Sequence, residues 1–285
     1  MLQWVAQHPA IVIFGMFIVI AAIEAMRGLF RSPYATREDA PLETVITLLF
    51  GAVIYPGVLL LVGFFAQQYT PHLANSLSHL PVWAMILLLL ICDDMTQYWW
   101  HRASHTPLLW PLHRAHHSAP HMGVRVVYRN NFFYYAMMPG IWISAYLVFL
   151  GLGPVFPWYV LVKTLVIFGA HSELRWDTFL YRWRWLHPLA WIVERTISTP
   201  ATHFAHHAIT QDDGIGHYKG NYGNLLFFWD VLFGTAKITR RYPPRVGLKD
   251  DLDHGPERWW VQLLYPIVKS QRRQSALARE ATIAE

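Results

Sequence analysis

Apolar residues run almost unbroken from Pro9 to Met26, with Glu24 as the one charge near the end of the run. This pattern predicts a helix over residues 9–26. No Lys or Arg precedes Arg27, so the basic leader of a signal peptide is missing and the segment reads as a retained transmembrane span. Residues 44–65 form a second run, long enough to cross about 30 Å of hydrocarbon. A third run from residue 80 is short as far as Ile91, but its helix can continue through Asp93, Asp94, Tyr98 and Trp99, giving a span over 80–100. Residues 132–152 and 155–170 predict a hairpin of two further spans, with Gly151, Gly153, Pro154 and Pro157 at or near its turn. Lys163 lies inside the fifth span, where it must face the bundle interior or snorkel.

Composition agrees with a membrane protein. Hydrophobic residues make up 54% of the 285 positions and charged residues 14%, against about 25% charged in soluble domains. Too few charges remain to clothe a water-facing surface, so soluble, disordered and fibrous classes are disfavoured. One cysteine, Cys92, excludes disulfide scaffolds, cysteine-rich zinc modules and cysteine-ligated clusters. The net charge of +5 beside long apolar runs points to anionic headgroups, and no nucleic-acid partner is expected.

The placement of basic residues orients the spans. Arg27, Arg31 and Arg37 lie between spans one and two, while residues 66–79 carry no Lys or Arg. By the positive-inside rule the N-terminus lies outside, and 101–131 and 171–285 lie on the cytoplasmic side of a bacterial inner membrane or endoplasmic reticulum. The expected fold is all-α: one membrane-embedded domain over 1–285, a helical bundle with a cytoplasmic helical cap. Residues 183–197, which mix Trp and Leu with Arg and Glu, and residues 259–268, flanked by Arg258 and Lys269, are expected at the interface, the latter within a C-terminal interfacial segment over 236–285. The tail over 270–285 reads as a fraying helix or disorder.

The two cytoplasmic stretches hold every dense group among the 16 histidines. His101 and His105 are spaced i, i+4; His113, His116 and His117 follow as i, i+3, i+4; His203, His206 and His207 repeat that spacing. Such positions share a helix face and can converge on an ion. Catalytic zinc sites use three protein ligands, so eight histidines suit two ions better than one. Imidazole accepts zinc, copper, iron or nickel, and ligand type alone leaves the metal open. His187 is a candidate further ligand by position, although Pro188 beside it also marks a turn. Asp94, seven residues before His101, lies on the same helical face and is a candidate acceptor for a ligand imidazole N–H. Asp230 is a candidate for the same part, Asn221 for a turn or an imidazole contact, Tyr98 for the site lining, and His217 for a supporting or bystander role. The chain has no dinucleotide fingerprint, haem module or cysteine cluster, so a redox reaction needs electrons from outside.

These boxes together resemble the fatty acid hydroxylase and sterol desaturase superfamily of integral membrane histidine-box diiron oxygenases. The resemblance covers about residues 41–235. It rests on Asp94 to Arg102, Leu112 to Ser118, Thr199 to His207, Asn221-Tyr222-Gly223, and Trp229 to Thr235. It implies catalytic regions over 94–131 and 171–235 and a further ligand at His171, in a His171-Ser172-Glu173 sequence where the family often has Asn in place of Glu. It also implies two iron ions, for which zinc can substitute in purified protein, and O2 as co-substrate. The implied reaction is hydroxylation of an unactivated C–H bond in a membrane lipid, a fatty acyl chain, sterol or related molecule. The implied electron source is a ferredoxin, a cytochrome b5-like protein or a reductase. Desaturation of the same substrates, a zinc-dependent membrane hydrolase and a non-catalytic metal-binding protein stand as alternatives.

Overall fold

A computed structural model of the chain describes residues 2–275, 277 and 278. Helices, with no strand among the described residues, make up its regular structure. The end of the expected tail, 279–285, lies outside the described residues.

Among the described residues, four helices are long and apolar enough to cross a membrane: Pro9–Met26 (α1), Asp39–Tyr69 (α2), Val82–Ser104 (α3) and Phe132–Leu152. The expected fifth span is Phe156–His171, a helix of 16 residues, shorter than the roughly 20 needed to cross unaided. Numbering in chain order, Trp110–His117 is α4, Phe132–Leu152 is α5 and Phe156–His171 is α6. Outward faces carry residues such as Leu60, Phe64, Trp83 and Val162, all exposed, as lipid-facing positions of a bundle should be.

Helix α2 begins five residues before the expected start because Asp39 and Glu43 are not the polar flank of a span. Both are buried. The Arg129 guanidinium donates to Asp39 Oδ1 at 2.7 Å, and His121 Nε2 lies 2.8 Å from Glu43 Oε1. Once paired, these carboxylates no longer need water, and the helix runs on past them.

The turn between α2 and α3 packs on the end of α5. Asn75 N and Leu77 N donate to the carbonyls of Phe149 and Leu150. Gly151, at φ 120°, is required there, since a Cβ would stand 2.7 Å from Ser78 N.

Lys163 faces the bundle interior, where its Nζ lies 2.6 Å from Asp93 Oδ2. Tyr159 OH donates to the same oxygen at 2.8 Å. Gly140 of α5 lets the carboxylate in, for a Cβ at that position would meet Asp93 Oδ1 at 2.6 Å. Within a π-helical turn over Leu90–Met95, consecutive acids face different partners: Asp93 meets α6, and Asp94 meets the segment 225–229.

The remaining short helices used below are His187–Thr196 (α7), Pro200–His206 (α8), Phe228–Phe233 (α9) and Trp259–Leu264 (α10). Helix α7 exposes Leu189, Trp191 and Ile192 and buries Glu194. Helix α10, in the segment expected at the interface, turns one face inward. Val261, Gln262 and Leu263 are buried, Leu263 joins the core with Leu42 and Ile46 of α2, and Asn131 Nδ2 donates to the carbonyls of Gln262 and Tyr265. Only part of this segment, including Trp260 and Ile267, points outward.

The buried pair at Asp93 and Lys163 yields a prediction. Asp93→Asn or Lys163→Met alone strands one buried partner and should cost about 3–5 kcal/mol. An apolar replacement of both should recover most of that loss. Thermal unfolding in detergent measures it, and a double variant no better than the worse single one contradicts the pairing.

Candidate metal centre

Four pieces of helix deliver the histidines. His101 lies in the last turn of α3 and His105 caps it. Helix α4 starts with Pro111 in its first turn and carries His113, His116 and His117. His171 is the last residue of α6. Helix α8 is set by Thr199, whose hydroxyl accepts from Thr202 N in a capping box, and by Pro200 in its first turn. It carries His203 and His206, with His207 at its C-cap.

The nine gather into two groups. His101, His105, His113, His117 and His206 form one; His116, His171, His203 and His207 form the other. Within each group the ligand atoms lie within 4.8 Å of one another. The groups abut, with the His117 and His207 rings stacked 4.4 Å apart and those of His116 and His207 at 4.6 Å.

Helical geometry explains the partition. Residues four apart lie nearly one above the other, whereas neighbours are turned by about 100°. In α4 the i, i+4 pair His113 and His117 serves the five-histidine group, and His116 between them turns to the other. In α8 and its cap the pair His203 and His207 serves the four-histidine group, and His206 turns to the first. Each HxxHH box therefore supplies both groups, in opposite proportion.

Main-chain carbonyls fix the tautomers. His101 Nδ1 donates to the Tyr222 carbonyl at 2.7 Å, His206 Nδ1 to Gly220 at 2.7 Å, His116 Nδ1 to Arg129 at 3.0 Å and His171 Nδ1 to Ile167 at 2.8 Å. A carbonyl only accepts, so each Nδ1 holds the proton and each Nε2 of a neutral ring presents a lone pair. The Nε2 atoms of His101 and His206 face each other at 3.0 Å, and those of His171 and His203 at 2.9 Å. His105, His113 and His117 have buried Nε2 atoms with no hydrogen-bond partner, as does His207 at both nitrogens. Such a set fits metal ions: two nitrogens each about 2.1 Å from one ion sit about 3 Å apart when the angle between them is near a right angle.

Burial first, and neighbouring imidazoles second, push His105, His113, His116, His117, His203, His206 and His207 well below the ordinary imidazole value. They are neutral near pH 7 and able to coordinate.

His187 stays outside both groups, its Nε2 set against the Tyr181 carbonyl at 3.1 Å. Asp94 does not reach a ligand imidazole either. Its carboxylate accepts instead from Leu225 N, Leu226 N and Trp229 Nε1. Asp230 accepts from Tyr222 N, Gly223 N and Thr235 Oγ1. Asn221, at φ 57°, bridges Thr202 and Lys237. Tyr98 OH pairs with Thr235 Oγ1, and His217 Nε2 with the Thr235 carbonyl. All five support the loop that presents the Gly220 and Tyr222 carbonyls, and none touches a ligand ring by a polar bond. Gly220 is compulsory in that loop, since a Cβ would fall 2.1 Å from His217 Nε2.

Sequence reading missed Arg129, Asn130 and Tyr134. The Arg129 carbonyl holds His116, and its guanidinium also binds the Ala115 carbonyl and Ser118 Oγ. Asn130 Oδ1 lies 3.3 Å from His113 Nδ1, and the Tyr134 ring stacks on His113 at 4.8 Å. Only the odd placement of Arg129-Asn130-Asn131 directly before an apolar run could have drawn attention to them. Among the nine, His105 alone is not fully buried. Beside it, Trp110 lies against His105 and His117, and Leu108 is 85% exposed.

The fatty acid hydroxylase family model matches residues 86–235, a stretch that contains all nine histidines. Alkylglycerol monooxygenase from Xenopus tropicalis is 30% identical over 147 residues, covering 50% of this chain and 28% of that protein. The Danio rerio alkylglycerol monooxygenase is 31% identical over 146 residues, with the same shares. The match thus spans under a third of either relative's length. No solved structure matches.

The depressed imidazoles set a pH dependence. They bind fewer protons folded than unfolded, so the stability of the metal-free protein rises with pH through their titration range. It should be full above the ordinary imidazole pKa of about 6.5 and fall as pH drops from there toward the depressed folded values. Bound metal should leave over the same interval, because protons compete for the same nitrogens. Melting temperature and metal content between neutral and mildly acidic pH measure this, and values flat across that range count against it.

Proposed function

This chain belongs to the fatty acid hydroxylase family, and from that premise we propose that it is a membrane-bound diiron monooxygenase. It inserts one oxygen atom of O2 into an unactivated C–H bond of a lipid. The observation that carries the reading is the pair of abutting all-imidazole groups with facing Nε2 atoms at 2.9 and 3.0 Å. His101, His105, His113, His117 and His206 would hold one iron, and His116, His171, His203 and His207 the other. Two irons bound there supply the O2 activation and C–H cleavage for which no side chain suffices.

The chain's own residues bind, orient and exclude. The carbonyls of Gly220, Tyr222, Arg129 and Ile167 keep the Nδ1 protons in place, so the Nε2 atoms stay available and the rings cannot flip. Burial keeps bulk water from the groups, and neutral ligands leave the metals' positive charge uncompensated by carboxylate. His105 and Trp110, next to the exposed Leu108, form the least covered side. The substrate is a lipid with a long alkyl chain, and the relatives' name makes an alkylglycerol the first to test. The balance RH + O2 + 2e⁻ + 2H⁺ → ROH + H2O requires two electrons from outside, from a ferredoxin, a cytochrome b5-like protein or a reductase. The excess of Lys and Arg in the loops around the centre supports a cytoplasmic position for it, with α7 at headgroup depth.

Iron-loaded protein in lipid nanodiscs, supplied with an alkylglycerol, a chemical reductant and ¹⁸O2, should release product carrying one labelled oxygen. His117→Ala should lower turnover by at least about 100-fold, the upper range for disturbing a metal's surroundings. Product lacking two hydrogens and carrying no label would make the enzyme a desaturase. Turnover without O2 would overturn oxygenation altogether.

A further inference from the structure

Glu24 lies in α1, outside the stretch the family model matches, and 62 residues before that stretch begins. Its side chain is nevertheless buried at 1% exposure. Oε1 accepts from Ser172 Oγ at 2.7 Å and from Glu173 N at 3.0 Å, and Oε2 accepts from Val124 N at 3.0 Å. Ser172 and Glu173 directly follow His171, where the chain leaves α6. Gly123, directly before Val124, donates its N–H to the His171 carbonyl at 2.8 Å. Gly123 has φ 129°, and a Cβ there would come within 3.0 Å of Glu24 Oε2. One carboxylate therefore ties together the chain exit after His171 and the loop that follows α4.

A ligand at the last position of a helix needs such a tie. The final turn has unsatisfied carbonyls and frays readily, and no further helical turn follows His171. The loop at 123–124 leads back to α4 and His116, whose ring lies 5.4 Å from that of His171 in the same group.

We propose that Glu24 is a positioning residue for the four-histidine site: it fixes His171 relative to His116 through backbone and hydroxyl hydrogen bonds, so the first span forms part of that metal centre. This rests on the reading of both histidine groups as metal sites. The test is iron stoichiometry and affinity of the full-length detergent-solubilised protein, with anaerobic Fe(II) as the probe. Wild type should take up two ions per chain. Glu24→Ala should keep the five-histidine ion and weaken the other by about 10–100-fold, with loss of the magnetic coupling between the two. Glu24→Gln keeps one acceptor and should lose less, and Ser172→Ala, which removes one donor, less again.

Phe17→Ala is the control. It loosens α1 where Phe17 packs on Phe168 at 5.8 Å without touching the carboxylate, so it should lower the melting temperature and leave two ions bound. Two ions at wild-type affinity in Glu24→Ala overturn the assignment. So does a Phe17→Ala protein that sheds the same ion as readily. Should Glu24→Ala not fold, Glu24→Gln and Ser172→Ala carry the test, and full metal affinity in both overturns it. Wild type binding fewer than two ions overturns the two-metal reading itself, an outcome distinct from any variant-specific result.

Discussion

Nine imidazoles converge in two abutting groups, and most of the surrounding structure answers to that. A buried polar atom without a partner costs about 1–3 kcal/mol, and five ring nitrogens at His105, His113, His117 and His207 have none. The Nε2 atoms of His101 and His206, whose protons sit on Nδ1, face each other across 3.0 Å and repel unless a cation lies between them. A fold that concentrates such atoms must hold them rigidly, because each ring relaxes outward once its support weakens. The cost falls on the chain, and coordination would return it.

That rigidity comes largely from backbone. Four ligand rings lean on main-chain carbonyls instead of carboxylates, so the support carries no extra negative charge into the centre. The carboxylates stand one layer further out. Asp94 and Asp230 hold the loop that offers the Tyr222 carbonyl. Glu24 holds the turn after His171, and Asp39 and Glu43 hold the Arg129 side chain. Every one of these acids is buried and answered by N–H, O–H or guanidinium donors, the condition under which a charge is tolerated away from water.

The same acids explain where hydropathy misleads. Residues 9–26 and 132–152 match Pro9–Met26 and Phe132–Leu152, since the one charge they contain, Glu24, sits near an end. Helix α2 is longer than its apolar run because Asp39 and Glu43 find partners from the segment before α5. Helix α3 continues past residue 100 because its last turn carries ligands. A hydropathy pattern scores each residue against lipid or water and has no means of scoring it against a neighbour distant in sequence. Hydropathy is equally silent on the partners of Trp259–Leu264, whose Leu263 joins the core beside Leu42 and Ile46 of α2.

Much of the site was legible. The spacing of His101–His105, His113–His117 and His203–His207 is a local property of helices, and it brings i, i+4 pairs together whatever the tertiary fold; His171 came from the family pattern. The division of each HxxHH box between two groups follows from the same angular arithmetic, once two centres exist to receive the rings. What spacing could not supply is which main-chain atoms answer the Nδ1 protons. Carbonyls carry no residue identity, and those of Gly220 and Tyr222 reach His206 and His101 only because the loop after α8 folds back over α3. Nor could sequence exclude His187, whose position along the chain suits a ligand but whose ring turns to the Tyr181 carbonyl. Local periodicity determined which imidazoles could act together, and long-range packing of buried acids decided where they meet, since only a folded chain makes neighbours of Glu24 and Ser172.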